Sequence, residues 1–395
     1  MQKSVEAPAC LRLKKGKERP LLQRHHWIFS GAVQSFSSKE PGGFAKVFTH
    51  ENELLGTAMI GSGQSIVAHM ISFGEEDPLF ALRERIKNAF VLRKKIFDFS
   101  KTNAYRLINA EGDGIAGLIV DSYDGRLVLQ ISHPALERLK EEIVSILVQE
   151  IHPVSIFEKS TSFLRKKEGM GEVRAHLYGD ENPQVVVLEN GLFFAVHLLD
   201  GQKTGLFLDQ REMRDLVCKN AYGKRVLNCF AYTGGFSVAA LAGGASHVDS
   251  VEISAKCLPQ VTRNLELNAL DVKRHQFFSE DAISFVAKKE LDYDFVILDP
   301  PAFVKKKQDI ATAFRAYKDL NKTAIEKMPA NSLLLTCSCS YHVGEALFQN
   351  ILFRASLEAG RNVKILSSHR GAFDHPVSIF HPEGTYLKSL LLYIE

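Results

Sequence analysis

No run in these 395 residues approaches the roughly 18 consecutive apolar side chains that a membrane-spanning helix needs. The start is polar and basic and has no apolar core segment, so no secretory signal is expected. Cysteine is sparse. Cys10, Cys218, Cys229, Cys257, Cys337 and Cys339 form no C-x-x-C pair and no zinc spacing. That excludes a disulfide scaffold and a zinc ribbon and makes a reducing cytoplasm the expected compartment. The 14 histidines contain no H-x-x-x-H pair, so no metal is expected. Net charge is small, +3, which excludes a protein that is basic throughout.

What charge there is lies unevenly. Residues 1–30 hold seven Lys/Arg (Lys3, Arg12, Lys14, Lys15, Lys17, Arg19, Arg24) against Glu6 and Glu18, a local +5 on a chain of +3. One basic face on a near-neutral protein suits a polyanion met by one surface; a solvated charged start is the alternative. Hydrophobic residues at 45% and charged residues at 24% describe a globular chain, long enough for two or three domains.

The most informative stretch is Arg225 to Glu252. Val226 to Phe230 reads as a buried strand and Ala231-Tyr232-Thr233-Gly234-Gly235 as a turn. Phe236 to Leu241 reads as a helix stopped by Gly243-Gly244, and His247 to Val251 as a second strand. Glycines let backbone N–H groups approach a ligand, and Glu252, 18 residues beyond Gly234, is placed to take a ribose diol. G-x-G-x-x-G is absent from this stretch, so no pyrophosphate cradle is present. The pattern suits S-adenosylmethionine better than NAD; an ordinary crossover with a glycine-tight turn is the plain structural alternative.

Along the chain, residues 9–76 read as a small β domain. Its strands include Leu11 to Leu13, His26 to Phe29, Phe44 to Phe48 and Leu54 to Ile60, with Gly42, Gly43, Gly56, Gly61 and Gly63 between them. A basic strand, then RHHWIFSGAV, then a glycine-punctuated barrel resembles a PUA domain, a small RNA-binding barrel. Trp27 is read as core rather than as a base-stacking group. Residues 77–198 read as a central α/β domain. It has a helix from Pro78, a hairpin across Asp124-Gly125, a helix from Pro134 to Gln149, a strand at Ser155 to Lys159 and a second hairpin through Asn190-Gly191. Arg165-Lys166-Lys167 is expected on a loop.

Residues 199–395 read as the third domain. Asp209-Gln210-Arg211 opens a helix whose approach forms a wall or lid. Asp281 sits at the end of a strand, able to accept an adenine amino group or to cap the next helix. Phe295 to Leu298 is a buried strand ending in Asp299-Pro300-Pro301, a rigid turn beside the ligand. Lys305-Lys306-Lys307 follows, placed to meet phosphate. Leu333 to Thr336 runs into Cys337-Ser338-Cys339-Ser340, and a final strand over 385–394 is expected to lie antiparallel in a doubly wound, mainly parallel sheet.

Together GQKTGLFLDQR, AYTGGFSVAALAGGASHV, LDPPAF, LLLTCSCS and DHP…PEGTYLK resemble the bacterial large-subunit rRNA cytosine-C5 methyltransferases with an N-terminal PUA domain. Ala302 stands where that family usually has serine, and Ser378 to His381 interrupts the tail differently. The resemblance covers the chain beyond its first nine residues. It implies an α/β fold, a Rossmann-like class I methyltransferase domain with a seven-stranded mixed sheet, preceded by the PUA barrel and the central domain. It implies S-adenosyl-L-methionine held by Phe230, Tyr232, Thr233, Gly234, Gly235 and Phe236, with Glu252 on the ribose, Asp281 at the adenine, Asp299 beside the ligand and Gln210 closing over it. Lys203, Thr204 and Asp209 belong to the same covering segment. The implied partner is large-subunit rRNA, without a membrane, and a homodimer fits the resemblance.

The chemistry follows from the base. Cytosine C5 is a poor nucleophile until a thiolate adds at C6 and makes an enamine-like ring. A base must then take the C5 proton. Cys339 and Cys337 are the candidate nucleophiles, on one side of an alternating strand; Cys339, further out, is favoured. Asp299 is expected to hold the cytosine edge, and Glu383 or His375 is the candidate base. The tail turn that contains His375 has a structural alternative, pinning the last strand. The target base must be single-stranded or flipped out, and Phe303 is a candidate stacking surface. Two other readings are methylation of an exocyclic amine, which needs no cysteine, and a non-catalytic RNA-binding assembly factor.

Overall fold

The structure is a computed structural model that describes residues 9–63, 65–201, 204–303 and 307–395. Lys3, Lys203, Lys305 and Lys306, and the side chain of Lys307, lie outside the described residues. The chain divides into two units, one of residues 1–185, 196–206 and 373–384, the other of 186–195, 207–372 and 385–395.

The first unit holds two sheets. Six short strands between Ala9 and Phe73 pair antiparallel, except that Ala9–Leu13 runs parallel to Phe44–Phe48. Alternation places Leu11, Leu13, Val47, Ala58 and Met70 inward, where they form one core with Ile28. Gly56 is required here: its φ is 146°, and a Cβ would lie 2.2 Å from the Ser72 carbonyl oxygen of the neighbouring strand.

A helix, Pro78–Ile96, follows; Asp77 caps it by accepting from Leu79 N and Phe80 N, and proline takes the first turn. Its Leu82, Ile86 and Ala89 pack into the core of a five-stranded sheet formed between Ala104 and Gly179. The Asp124-Gly125 hairpin is present, with φ of 51° and 75° at the two turn residues. Two details differ from the sequence expectation. Arg165-Lys166-Lys167 is helical, within Phe163–Lys167 and capped by Ser162, and Arg165 is buried. Val173–Gly179 is an edge strand, paired antiparallel with Ser155–Ser160.

The second unit is built on seven strands: β1 (Arg225–Cys229), β2 (His247–Val251), β3 (His275–Phe278), β4 (Phe295–Leu298), β5 (Ser332–Ser338), β6 (Val363–His369) and β7 (Lys388–Ile394). Their order is β3-β2-β1-β4-β5-β7-β6. The first five strands are parallel, and β7 lies antiparallel between β5 and β6, as expected for the final strand. β1, β4 and β5 are near-continuous buried apolar runs, as parallel strands covered on both faces must be. A large core cluster joins Leu227, Val296, Leu298 and Leu334 of the sheet to Phe285, Tyr317, Phe348 and Ile351 of the helices. In a doubly wound sheet the ligand crevice lies outside the carboxyl ends of the strands, and the order reverses here between β1 and β4.

Candidate active site

The turn after β1 is backbone under strain. Phe230 and Tyr232 have φ of 60° and 48°, and Gly234 has 77°. A non-glycine residue held left-handed costs about 1–2 kcal/mol, and such strain collects at functional sites. Gly234 admits nothing larger, since a Cβ would lie 2.9 Å from Val261 Cγ1. The turn is tied down from below: Asn264 Nδ2 donates to the Thr233 carbonyl at 2.9 Å. Helix Gly235–Ala242 then begins, with Phe236 buried in its first turn.

Glu252, just past β2, faces this turn. Its Oε2 accepts from Tyr232 N at 3.0 Å and its Oε1 from Ser254 N at 3.0 Å. Two backbone donors orient the carboxylate and leave part of its acceptor capacity for a diol. Asp281 is exposed and caps helix Ala282–Lys288, its Oδ2 accepting from Ser284 N at 2.8 Å. The capping role holds, and one oxygen suffices for it.

The segment before helix Arg211–Asn220 covers the same end of the sheet. Gln210, 3% exposed, donates through Nε2 to Asp299 Oδ1 at 3.0 Å. Asp209 is buried and accepts from the Tyr386 hydroxyl. Arg214 forks onto Glu189 at 2.6 and 2.7 Å and also donates to the Phe207 carbonyl at 2.9 Å. Phe207 packs edge-on against Tyr232, ring centroids 5.3 Å apart. Glu189, Arg214 and Tyr386 were not singled out from sequence, although a Glu before the Asn190-Gly191 turn and an Arg three residues beyond Arg211 were there to be seen.

The two cysteines separate by burial. Cys337 is fully buried at the end of β5, and burial, then the Asp299 charge, pushes its thiol well above its ordinary pKa. It is a protonated, packed thiol. Cys339 lies one residue beyond the strand and is half-buried, its Sγ 3.8 Å from the Pro300 carbonyl oxygen. The turn Asp299-Pro300-Pro301 and Cys339 are thus side by side. Phe303 is half-buried in packing against Tyr317, centroids 4.6 Å apart.

Glu383 and His375 belong to the first unit. His375 is buried with Nδ1 2.8 Å from Asp374 Oδ1, and Asp374 accepts from Arg106 N at 2.7 Å. Glu383 Oε1 stands 3.4 Å from His25 Nε2. Trp27 is half-buried; its Nε1 donates to Glu111 at 3.2 Å, and its ring meets His381 at 4.5 Å.

A reversing sheet, a glycine turn after β1 and an oriented carboxylate after β2 define a class I methyltransferase that uses S-adenosylmethionine. The residues fit that cofactor: the strained turn follows β1, the Glu252 carboxylate follows β2 and bonds that turn, and Gln210 bonds Asp299 after β4, all at the carboxyl end of the parallel strands. A family model for S-adenosylmethionine-dependent methyltransferases matches residues 166–359, and one for PUA-like domains matches 11–73. A ribosomal RNA large subunit methyltransferase I from Alteromonas mediterranea is 37% identical over 386 residues, covering 96% of this chain and 97% of its own. A solved SAM-dependent methyltransferase from Streptococcus mutans superposes with a TM-score of 0.84 at 26% identity, covering 97% of this chain and 99% of its own. A methyltransferase solved in complex with SAH gives the same score, identity and coverage. The chain belongs to the ribosomal RNA large subunit methyltransferase I family.

Proposed function

We propose that this chain methylates C5 of a cytosine in large-subunit rRNA, with Cys339 as the nucleophile. The observation that carries the reading is the pairing of a half-buried Cys339 with the Asp299-Pro300-Pro301 turn, while Cys337 is sealed in the strand. Bound S-adenosylmethionine supplies an electrophilic methyl on sulfur. Glu252 would take its ribose and Asp281 its adenine amino group, and the turn Phe230 to Phe236 would cradle it, with Gln210 closing over the site. Asp299, steadied by Gln210, accepts from the cytosine edge. The Cys339 thiolate would add to C6 and make C5 nucleophilic; C5 would then bond the methyl as the C–S bond of the sulfonium breaks and S-adenosylhomocysteine leaves, water would carry off the C5 proton, and the C6–Sγ bond would break to return the thiolate. The tail residues Glu383 and His375 we assign to holding the tail, because His25 and Asp374 already engage them.

The base must leave its stack to reach Cys339. The PUA-like barrel and its basic residues support rRNA as the partner, met in the cytoplasm; a homodimer is the assembly expected from the resemblance. No helix among the described residues is long and apolar enough to cross a membrane. The test is methylation of rRNA with labelled S-adenosylmethionine, followed by nucleoside mass spectrometry. The expected product is 5-methylcytidine. An N-methylated nucleoside would move the reading to exocyclic amines, and no label in RNA would favour a binding factor.

A further inference from the structure

β7 is an apolar strand with one ammonium inside it. Lys388 is 5% exposed, and its neighbours Leu390, Leu391 and Leu392 are core residues. Its Nζ donates to the Ser340 carbonyl at 2.7 Å and to the Tyr386 carbonyl at 2.6 Å. These two bonds fix the ammonium beside the residue that follows Cys339, because β5 and β7 pair Ser338 with Lys388. A buried ammonium without an anion is costly. Among the described residues no carboxylate forms an ion pair with it, and the titratable neighbour that bears on its charge is the Cys339 thiol. Burial lowers the Lys388 pKa to about 8 and Cys339 acts to raise it.

We propose that Lys388 is a positioning residue that holds Cys339 as a thiolate. This rests on the reading of Cys339 as the nucleophile. The thiol gives its proton to solvent and the ammonium, bonded at the carbonyl of the next residue, keeps its own, so the attraction between them acts across a half-buried site where it is weakly screened. Among the described residues, three other titratable groups near the pair act differently. Cys337 is held protonated by burial and by Asp299. The Tyr317 phenol, bonded to Ser340 Oγ at 3.0 Å, is pushed up by burial. Asp209 is engaged by Tyr386.

The test follows iodoacetamide labelling of Cys339 against pH in the full chain, resolved by peptide mass spectrometry so that the other five cysteines do not interfere. In the unmutated protein the Cys339 midpoint is expected below the roughly 8.5 of a free cysteine. Lys388→Gln keeps donors for the two carbonyls but loses the charge, and should raise the midpoint by about one unit or more, a tenfold loss of thiolate at neutral pH. Lys388→Arg should stay near the unmutated value. A midpoint at or above that of free cysteine in the unmutated protein would overturn the proposal, as would an unmoved midpoint in Lys388→Gln. Covalent capture of 5-fluorocytosine RNA separates this from the parent reading. Capture that survives Cys339→Ala sinks the nucleophile assignment, whereas capture lost in Cys339→Ala with an unmoved Lys388→Gln midpoint sinks only the role of Lys388.

Discussion

At the scale of single residues, burial decides what each polar group can do. Cys337 and Cys339 are two positions apart, yet one is sealed and the other is half-buried at the strand edge. Cys337→Ala removes only a packed thiol and should cost about 1 kcal/mol of stability in a denaturant melt, while leaving RNA capture in place. Glu252 should behave differently. Glu252→Gln keeps the shape but removes a charge-assisted acceptor, so S-adenosylmethionine affinity measured by calorimetry should fall roughly 10- to 100-fold. Unchanged affinity would take Glu252 out of the site. The sequence made the cysteine pair, Asp299 and Glu252 visible because each ends a recognisable strand. The burial of Lys388 was not legible: a lysine at the head of a strand reads as solvated, and only tertiary pairing with β5 buries it.

At the scale of elements, turn chemistry was legible and polar edges were not. Asp124-Gly125 and Asn190-Gly191 both adopt the left-handed pair that a tight hairpin needs. Val173–Gly179 was missed because an edge strand with one covered face has no apolar run to announce it. The covering segment is held by Glu189 and Arg214, partners 25 residues apart that no local pattern joins. Both side chains are buried, 2% and 5% exposed, so Glu189→Gln strands a guanidinium. Thermal melts should show a loss of about 3–5 kcal/mol. Gly234→Ala tests the turn itself. With φ at 77° and Val261 at 2.9 Å, an added methyl must distort the loop. Cofactor affinity should drop more than stability does, and equal affinity would show that the turn does not cradle the ligand.

At the scale of the whole molecule, neutral buried histidines set an acid limit. Burial lowers His26, His69 and His275 from 6.5 to about 4. Their folded pKa values lie below the unfolded ones, so the unfolded chain binds more protons between about pH 4 and 6.5. Stability is complete above that window and is lost as pH falls through it. At pH 5 each histidine forfeits roughly 2 kcal/mol. Two of the three are in the first unit, so its melting temperature should fall by several degrees between pH 7.5 and 5. A flat profile would mean that these rings are not desolvated. The return of residues 373–384 to the first unit was not readable from motif order. Asp374 meets Arg106 across 268 residues of sequence, a contact that only the folded chain defines.

The central claim is that a cysteine at the end of β5 attacks the base, and one gel tests it. Protein, S-adenosylmethionine and rRNA carrying 5-fluorocytosine are run under denaturing conditions, with Cys339→Ala and Cys337→Ala alongside. The 5-fluoro group cannot leave as a proton does, so a thiolate that adds to C6 stays attached. A shifted band in the unmutated protein and in Cys337→Ala, absent in Cys339→Ala, is the predicted result. Methyl transfer without any shifted band would contradict the covalent mechanism, and a band lost only in Cys337→Ala would contradict the choice of nucleophile.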